Sequence, residues 1–161
     1  MNIKKKSINN IVNITTNKKA YYNFLIEKKM ECGLILKGWE VKSIRKNKVN
    51  IQNSYLFFQQ NELYLFGINI QPITNNNICV PNLSKQRNIK VLLNKKEIQF
   101  LYSKYKTKGY SLIALSLYWK RAWCKIQIAV SIGKTKYDQR IDKKNKEWLI
   151  QKNVLMKKLL K

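Results

Sequence analysis

Histidine is absent from this 161-residue chain. With it go every Ser-His or Cys-His nucleophile pair and any imidazole-bound metal. Acidic side chains are scarce, 8 against 33 Lys and Arg, for a net charge of +25. Cysteine occurs only at Cys32, Cys79 and Cys124. An odd number at wide spacing supports neither a disulfide framework nor a paired-cysteine zinc site, and fits a reduced, cytoplasmic setting. The five glycines stand apart, so no phosphate-cradling loop is present. No apolar run approaches the ~18 residues of a membrane span; the longest, Leu112 to Trp119, is broken by Ser116. The basic stretch from Met1 to Lys19 lacks the apolar segment of a secretory leader, and it lacks the Arg that organelle transit peptides favour. No metal, cofactor, membrane or small-molecule substrate is expected.

What is present is enough for a core. The chain is 45% apolar, with 4 Trp, 9 Tyr and 5 Phe, and its length fits one domain. A charge of +25 on so small a body repels itself unless a polyanion neutralises it. Lysine supplies 29 of the 33 cations, and Asn and Ile are abundant, which points to an A/T-rich coding bias. Such a bias exchanges Arg for Lys more readily than it creates net charge, so nucleic acid is favoured over a merely solvated surface. The charge is spread out. Residues 1–132 carry 23 basic and 5 acidic groups, and residues 133–161 carry 10 and 3.

The local pattern is mostly strand-like. Residues 1–16 show no periodicity and are expected to be a mobile basic arm. Asn17 is a candidate cap for a helix from Lys18 to about Ile26. From Met30, apolar and polar residues alternate through Cys32, Leu34 and Leu36, and again through Trp39, Val41 and Ser43. Two strands are expected there, with bends at Gly33 and Gly38. Ser54–Gln59 and Leu63–Ile70 read as a hairpin ended by Pro72. Residues 73–87 read as a polar connection and Ile89–Leu93 as a short strand. Asn94 with Glu97 forms a capping-box pattern ahead of a stripe at Ile98, Leu101, Tyr102 and Tyr105. Tyr110–Trp119 and Trp123–Ile132 form a second hairpin. In its second strand Cys124, Ile126, Ile128, Val130 and Ile132 face one way. Trp123, Lys125, Gln127 and Ala129 face the other. The expected organisation is a mainly β, small closed antiparallel barrel of about six strands (residues 17–132) with flanking short helices. Residues 133–161 are expected to form a basic tail, disordered until bound.

Two clusters interleave aromatics with cations: Tyr118-Trp119-Lys120-Arg121-Ala122-Trp123, and Lys18-Lys19-Ala20-Tyr21-Tyr22. Each reads equally as barrel packing beside a basic turn or as a stacking and phosphate surface. Glu27, Glu31 and Glu40 lie near one another, and two of them converging in one cleft would suit an RNA hydrolase. Structural ion pairs are the favoured reading in so basic a chain.

Several segments, in order and spacing, resemble one family. They are Asn17-Lys18-Lys19-Ala20, the block from Gly33 to Arg45 (GLILKGWEVKSIR), Asn53-Ser54-Tyr55, Leu65-Phe66-Gly67 and Leu92-Leu93-Asn94. They continue with Gly109-Tyr110, Ala114 to Lys120 (ALSLYWK), Gly133-Lys134, Asp138-Gln139-Arg140 and Trp148. The sequence resembles the SsrA-binding, or small protein B, family. The resemblance implies an oligonucleotide-binding-like barrel without enzymatic activity, and a monomer in the cytoplasm. It would bind the tRNA-like domain of transfer-messenger RNA (tmRNA) and deliver it to stalled ribosomes for trans-translation, rescuing them and tagging the nascent peptide for degradation. The RNA-binding positions it implies are Lys18, Lys19, Tyr22, Glu31, Arg45, Leu92, Asn94, Tyr118, Trp119 and Lys120. The tail positions implied for the small-subunit decoding centre and message channel are Gly133, Lys134, Lys136, Tyr137, Asp138, Arg140 and Trp148.

The family usually has His where this chain has Tyr137 and Tyr22, and a basic residue in place of Gln139. Tyr stacks on a base but does not become cationic. A general basic RNA-binding or ribosome-associated barrel without trans-translation activity is therefore the competing reading.

Overall fold

The computed structural model describes residues 11–73 and 87–159. Among the described residues nine strands and four helices follow in the order β1 (Ile11–Thr16), α1 (Lys18–Asn23), β2 (Phe24–Leu34), α2 (Gly38–Arg45), β3 (Val49–Asn50), β4 (Tyr55–Gln59) and β5 (Glu62–Phe66). The order continues with β6 (Asn69–Ile70), β7 (Ile89–Leu92), α3 (Lys95–Lys106), β8 (Tyr110–Lys120), β9 (Trp123–Gly133) and α4 (Lys136–Leu159). The fold is mainly β and antiparallel. The large sheet has the order β1-β8-β4-β5-β7-β2-β9, and a further β8–β9 pairing joins six of its strands into a ring, with β1 outside it on β8. β3 and β6 pair separately.

The two expected hairpins form, each with a tighter link than the sequence suggested. Gln60 and Asn61 both take positive φ (49° and 60°), as a two-residue turn matched to strand twist requires. Glu62 thereby joins β5 and pairs with Gln59. Between β8 and β9 the turn is Arg121-Ala122, with Arg121 at φ 57°. Beyond β5 the strand breaks at Gly67. Its φ is +76°, and a Cβ there would lie 2.6 Å from the Asn53 carbonyl oxygen.

The core fills the ring. Ile44, Ile51, Leu63, Leu65, Ile89, Leu101, Leu117, Ile126 and Ile128 are fully buried. A second cluster lies outside the β8–β9 pair, where α1 lays Ala20 on Ile113, Leu115 and Ala129. Asn17 fixes that helix. It is buried, its Oδ1 accepts from Ala20 N at 3.0 Å, and its Nδ2 donates to the carbonyls of Ala114 and Gln52 at 3.1 and 3.2 Å.

Besides the expected strand Leu63–Ile70, which splits into β5 and β6 at Gly67, four expectations are corrected. Residues 11–16 are not part of a mobile arm but form β1. Ladder hydrogen bonds to β8 hold this strand, not a periodic apolar face, and it carries a register shift between Asn13 and Thr15. The first helix stops at Asn23, and Phe24 and Leu25 already belong to β2. The stretch Trp39–Ile44 is helical, in α2. Glu40 Oε2 accepts from Lys37 N at 2.7 Å in the first turn, and the Arg87 guanidinium grips the same carboxylate at 2.5 and 2.6 Å. The buried residues Glu40, Ser43 and Ile44 recur at helical spacing. Finally, the tail is not without structure: residues 136–159 form one long helix. Most of the connection expected over residues 73–87, with Cys79, lies outside the described residues.

Candidate nucleic-acid interface

Strand pairing puts one set of side chains on the outer face of β2, β9 and β8. Glu31 sits opposite Gln127, Gly33 opposite Lys125, Tyr118 opposite Lys125 and Lys120 opposite Trp123. Since side chains alternate along each strand, all of these share a face. The Tyr118 hydroxyl donates to Glu31 Oε2 at 2.7 Å. Lys120 Nζ lies 3.0 and 3.1 Å from the two Glu31 oxygens, and Lys125 Nζ lies 3.5 Å from Oε1. The Tyr118 hydrogen bond, then the Lys120 ammonium, hold the Glu31 carboxyl below its usual range. Burial and the same hydrogen bond push the Tyr118 hydroxyl up. At neutral pH the cluster is a fixed carboxylate presenting two ammonium groups to solvent.

Neighbours extend the face. Trp123, 73% exposed, stands at the hairpin tip beside Lys120. Leu92, also exposed, pairs with Gly33. A Cβ on Gly33 would come within 3.3 Å of the Leu92 Cβ, so the glycine lets this leucine lie close against β2. Further along the same face Lys29 pairs with Ala129, and its ammonium sits 5.2 Å from the Tyr21 ring centroid. Beyond it α1 exposes Lys18, Lys19 and Tyr22. α1 ends where β2 begins, seven residues before Glu31, so the two basic clusters are roughly 20 Å apart along one face.

Not every candidate converges there. Trp119 pairs with Cys124 on the inner side, half-buried against the core. Its ring instead receives the Arg45 guanidinium, 5.8 Å from the centroid, at the end of α2. Arg45 and Trp119 therefore form a separate cation-aromatic pair at the rim of the ring. Asn94 is exposed ahead of α3, its backbone N–H bonded to Glu97 at 2.9 Å.

The tail residues also divide. Gly133 pairs with Phe24, and Lys134 N donates to the Asn23 carbonyl at 2.9 Å, so the tail leaves the ring beside α1. Lys134 Nζ reaches Asp142 at 2.7 Å and the Tyr21 carbonyl at 3.3 Å. Asp138 caps α4 by accepting from Thr135, which lowers its pKa. Lys136, Tyr137, Arg140 and Trp148 are exposed.

Two residues absent from the sequence-based selection, Lys125 and Trp123, belong to the face. Strand alternation had already put both on its polar side. The three carboxylates that a hydrolase would have needed are each tied to a different cation: Glu27 to Lys104, Glu31 to Lys120 and Lys125, Glu40 to Arg87. Among the described residues no His, Cys, Asp or Glu cluster suits a metal, and no helix is long and apolar enough to cross a membrane. Burial pushes the Cys32 and Cys124 thiols up to about 12.

An antiparallel ring of strands with a cationic, aromatic-edged outer face is the architecture of a nucleic-acid-binding β protein. Comparison with known proteins narrows this. The family described as SmpB protein matches residues 14–158. SsrA-binding proteins of Buchnera aphidicola subsp. Acyrthosiphon pisum, strains Tuc7 and 5A, are 46% identical over 158 residues, covering 96% of this chain and 95% of theirs. A solved chain from the structure "tmRNA-SmpB: a journey to the center of the bacterial ribosome" superposes with a TM-score of 0.62 at 33% identity. That match covers 76% of this chain and 85% of the other. The chain belongs to the SmpB family.

Proposed function

We propose that this protein binds the tRNA-like domain of tmRNA and carries it to stalled ribosomes for trans-translation, as a non-enzymatic RNA-binding factor. The observation that carries this reading is the match to SsrA-binding proteins across 96% of the chain at 46% identity. The geometry supplies a physical means. The six-strand ring is read as a closed oligonucleotide-binding-like barrel, with residues 17–132 as its domain. Its outer face from Trp123 to α1 is read as the RNA surface, with Lys18, Lys19, Tyr22, Leu92, Asn94, Tyr118 and Lys120 on or beside it. Glu31 acts as an orienting group that fixes two lysines, and Arg45 with Trp119 supplies a second contact at the rim. Lysine–phosphate contacts give affinity, while stacking and fixed geometry select a folded RNA.

The tail, residues 133–161, is assigned to the decoding centre and message channel of the small subunit. Gly133 and Lys134 set its departure point. Lys136, Tyr137, Asp138, Arg140 and Trp148 lie along it, where Tyr137 stacks but contributes no charge. The protein acts as a cytoplasmic monomer without cofactor.

The test is binding of the purified protein to its cognate tRNA-like domain and to a size-matched RNA hairpin across a salt series. Selective binding that persists at physiological salt is expected. Equal affinity for both RNAs, collapsing together as salt rises, would assign the charge to unspecific contacts and favour a general RNA-binding protein.

A further inference from the structure

The β4–β5 hairpin and one stripe of α3 flank a groove of about 360 Å³ lined by Phe58, Asn61, Lys95, Ile98, Gln99 and Tyr102. The α3 residues recur at i, i+3, i+4 and i+7, one helix face. Its walls are apolar and half-buried. Phe58 and Tyr102 meet edge to face, with ring centroids 5.2 Å apart. Its rim is polar and exposed, formed by Asn61, Lys95 and Gln99. Among the described residues Lys95 is the one charged side chain lining it, and Lys106 lies 4.5 Å over the Tyr102 ring. Glu97, the nearest acid on α3, is engaged with the Asn94 N–H.

We propose that this groove binds one unstacked nucleotide of the RNA. Aromatic walls suit a flat base, two side-chain amides offer paired donors and acceptors to its edge, and Lys95 meets the phosphate. The volume falls in the lower range of small-ligand sites. Position supports the same occupant. Lys95 directly follows Asn94, and β7 delivers the chain to that point from Leu92 on the outer face. An RNA strand passing Leu92 and Asn94 enters the groove. This inference rests on the RNA-binding reading above.

The experiment uses full-length protein with isotope-labelled side-chain amides, titrated with adenosine 5′-monophosphate and with a single-stranded oligoadenylate hexamer. The Asn61 and Gln99 amide resonances are expected to shift and saturate, more tightly for the hexamer. Lys95→Ala/Gln99→Ala alters only exposed positions on a helix. It should erase the Asn61 shift, the reporter that the variant retains, and weaken binding to the tRNA-like domain by about 5- to 10-fold with an unchanged melting temperature. Lys120→Ala serves as the control on the outer face. If Lys120→Ala weakens RNA binding and the groove variant does not, the groove inference falls while the RNA face stands. If neither does, both fall. Shifts produced by an acidic hexapeptide and not by the nucleotides would make the groove a peptide site and overturn the proposal.

Discussion

The Tyr118 hydroxyl and the Glu31 carboxylate, 87 residues apart in sequence, meet at 2.7 Å across the full width of β9. β8 and β2 each pair with β9, so this bond ties its two neighbours together over its outer face. Lys120 and Lys125 complete the cluster, which makes Glu31 the single acceptor that positions two cations.

Removing that acceptor separates specific from unspecific binding. Glu31→Ala raises the net charge by one, which by itself strengthens attraction to any RNA. It also frees Lys120 and Lys125 from their fixed positions. Affinity for the tRNA-like domain is expected to fall while affinity for an unrelated hairpin stays level or rises. A parallel gain for both RNAs would refute the orienting role.

The same pair gives a pH dependence. The Glu31 pKa is lowered in the folded state from a reference of 4.5 by Tyr118 and Lys120. Its stabilising contribution is therefore present above the unfolded value and is lost as pH falls through the folded one. Tyr118→Phe should bring the Glu31 titration back toward 4.5. It should cost about 1 kcal/mol at neutral pH, measured by urea unfolding and carboxyl chemical shifts.

Asn17→Ala removes the acceptor of the Ala20 N–H and the Nδ2 donor to the Ala114 and Gln52 carbonyls, all at a buried side chain. Loss of a cap and stranding of buried polar groups together predict about 2–4 kcal/mol of destabilisation. Denaturant unfolding should show it, with α1 amides losing hydrogen-exchange protection first.

Glu40→Gln tests α2. The carboxylate is 1% exposed and holds an Arg87 guanidinium that is 23% exposed. Breaking such a pair from one side leaves a largely buried cation, so about 2–4 kcal/mol should be lost. Because Glu40 is structural, RNA binding by the fraction that remains folded should be unchanged.

Deleting residues 134–161 should leave the ring intact, since the side chains of α4 through Lys157 are exposed apart from the half-buried Gln139. Most tmRNA affinity is expected to survive, while tagging on stalled ribosomes is abolished. Tagging by the truncated protein would refute the tail assignment.

Much of this was legible in advance where the signal is local. Asn94 with Glu97 marked the start of α3, and alternation marked β8 and β9. Trp39–Ile44 misled because three alternations fit a strand as well as one and a half helical turns. What selects the helix is the bond from Glu40 back to Lys37 and the grip of Arg87, 47 residues away. β1 was missed because an outer strand bonded to β8 needs no apolar period of its own. Tyr118-Trp119-Lys120 read as one surface. In the sheet its middle member turns inward to Arg45, because successive strand residues face opposite sides.

The charge of +25, the exclusion of histidine chemistry, the two hairpins, the capped α3 and the family are all readable along the chain. All of these reside in composition or in neighbours a few residues apart. That Glu31, Tyr118, Lys120 and Lys125 form one cluster, that Glu40 serves α2, and that Phe58 and Tyr102 wall a groove follows from the packed fold alone. Each of these depends on which strands and helices become neighbours. That choice is made by burying Leu65, Ile89, Leu117 and Ile126 together, a cooperative result of the whole core that no single segment encodes.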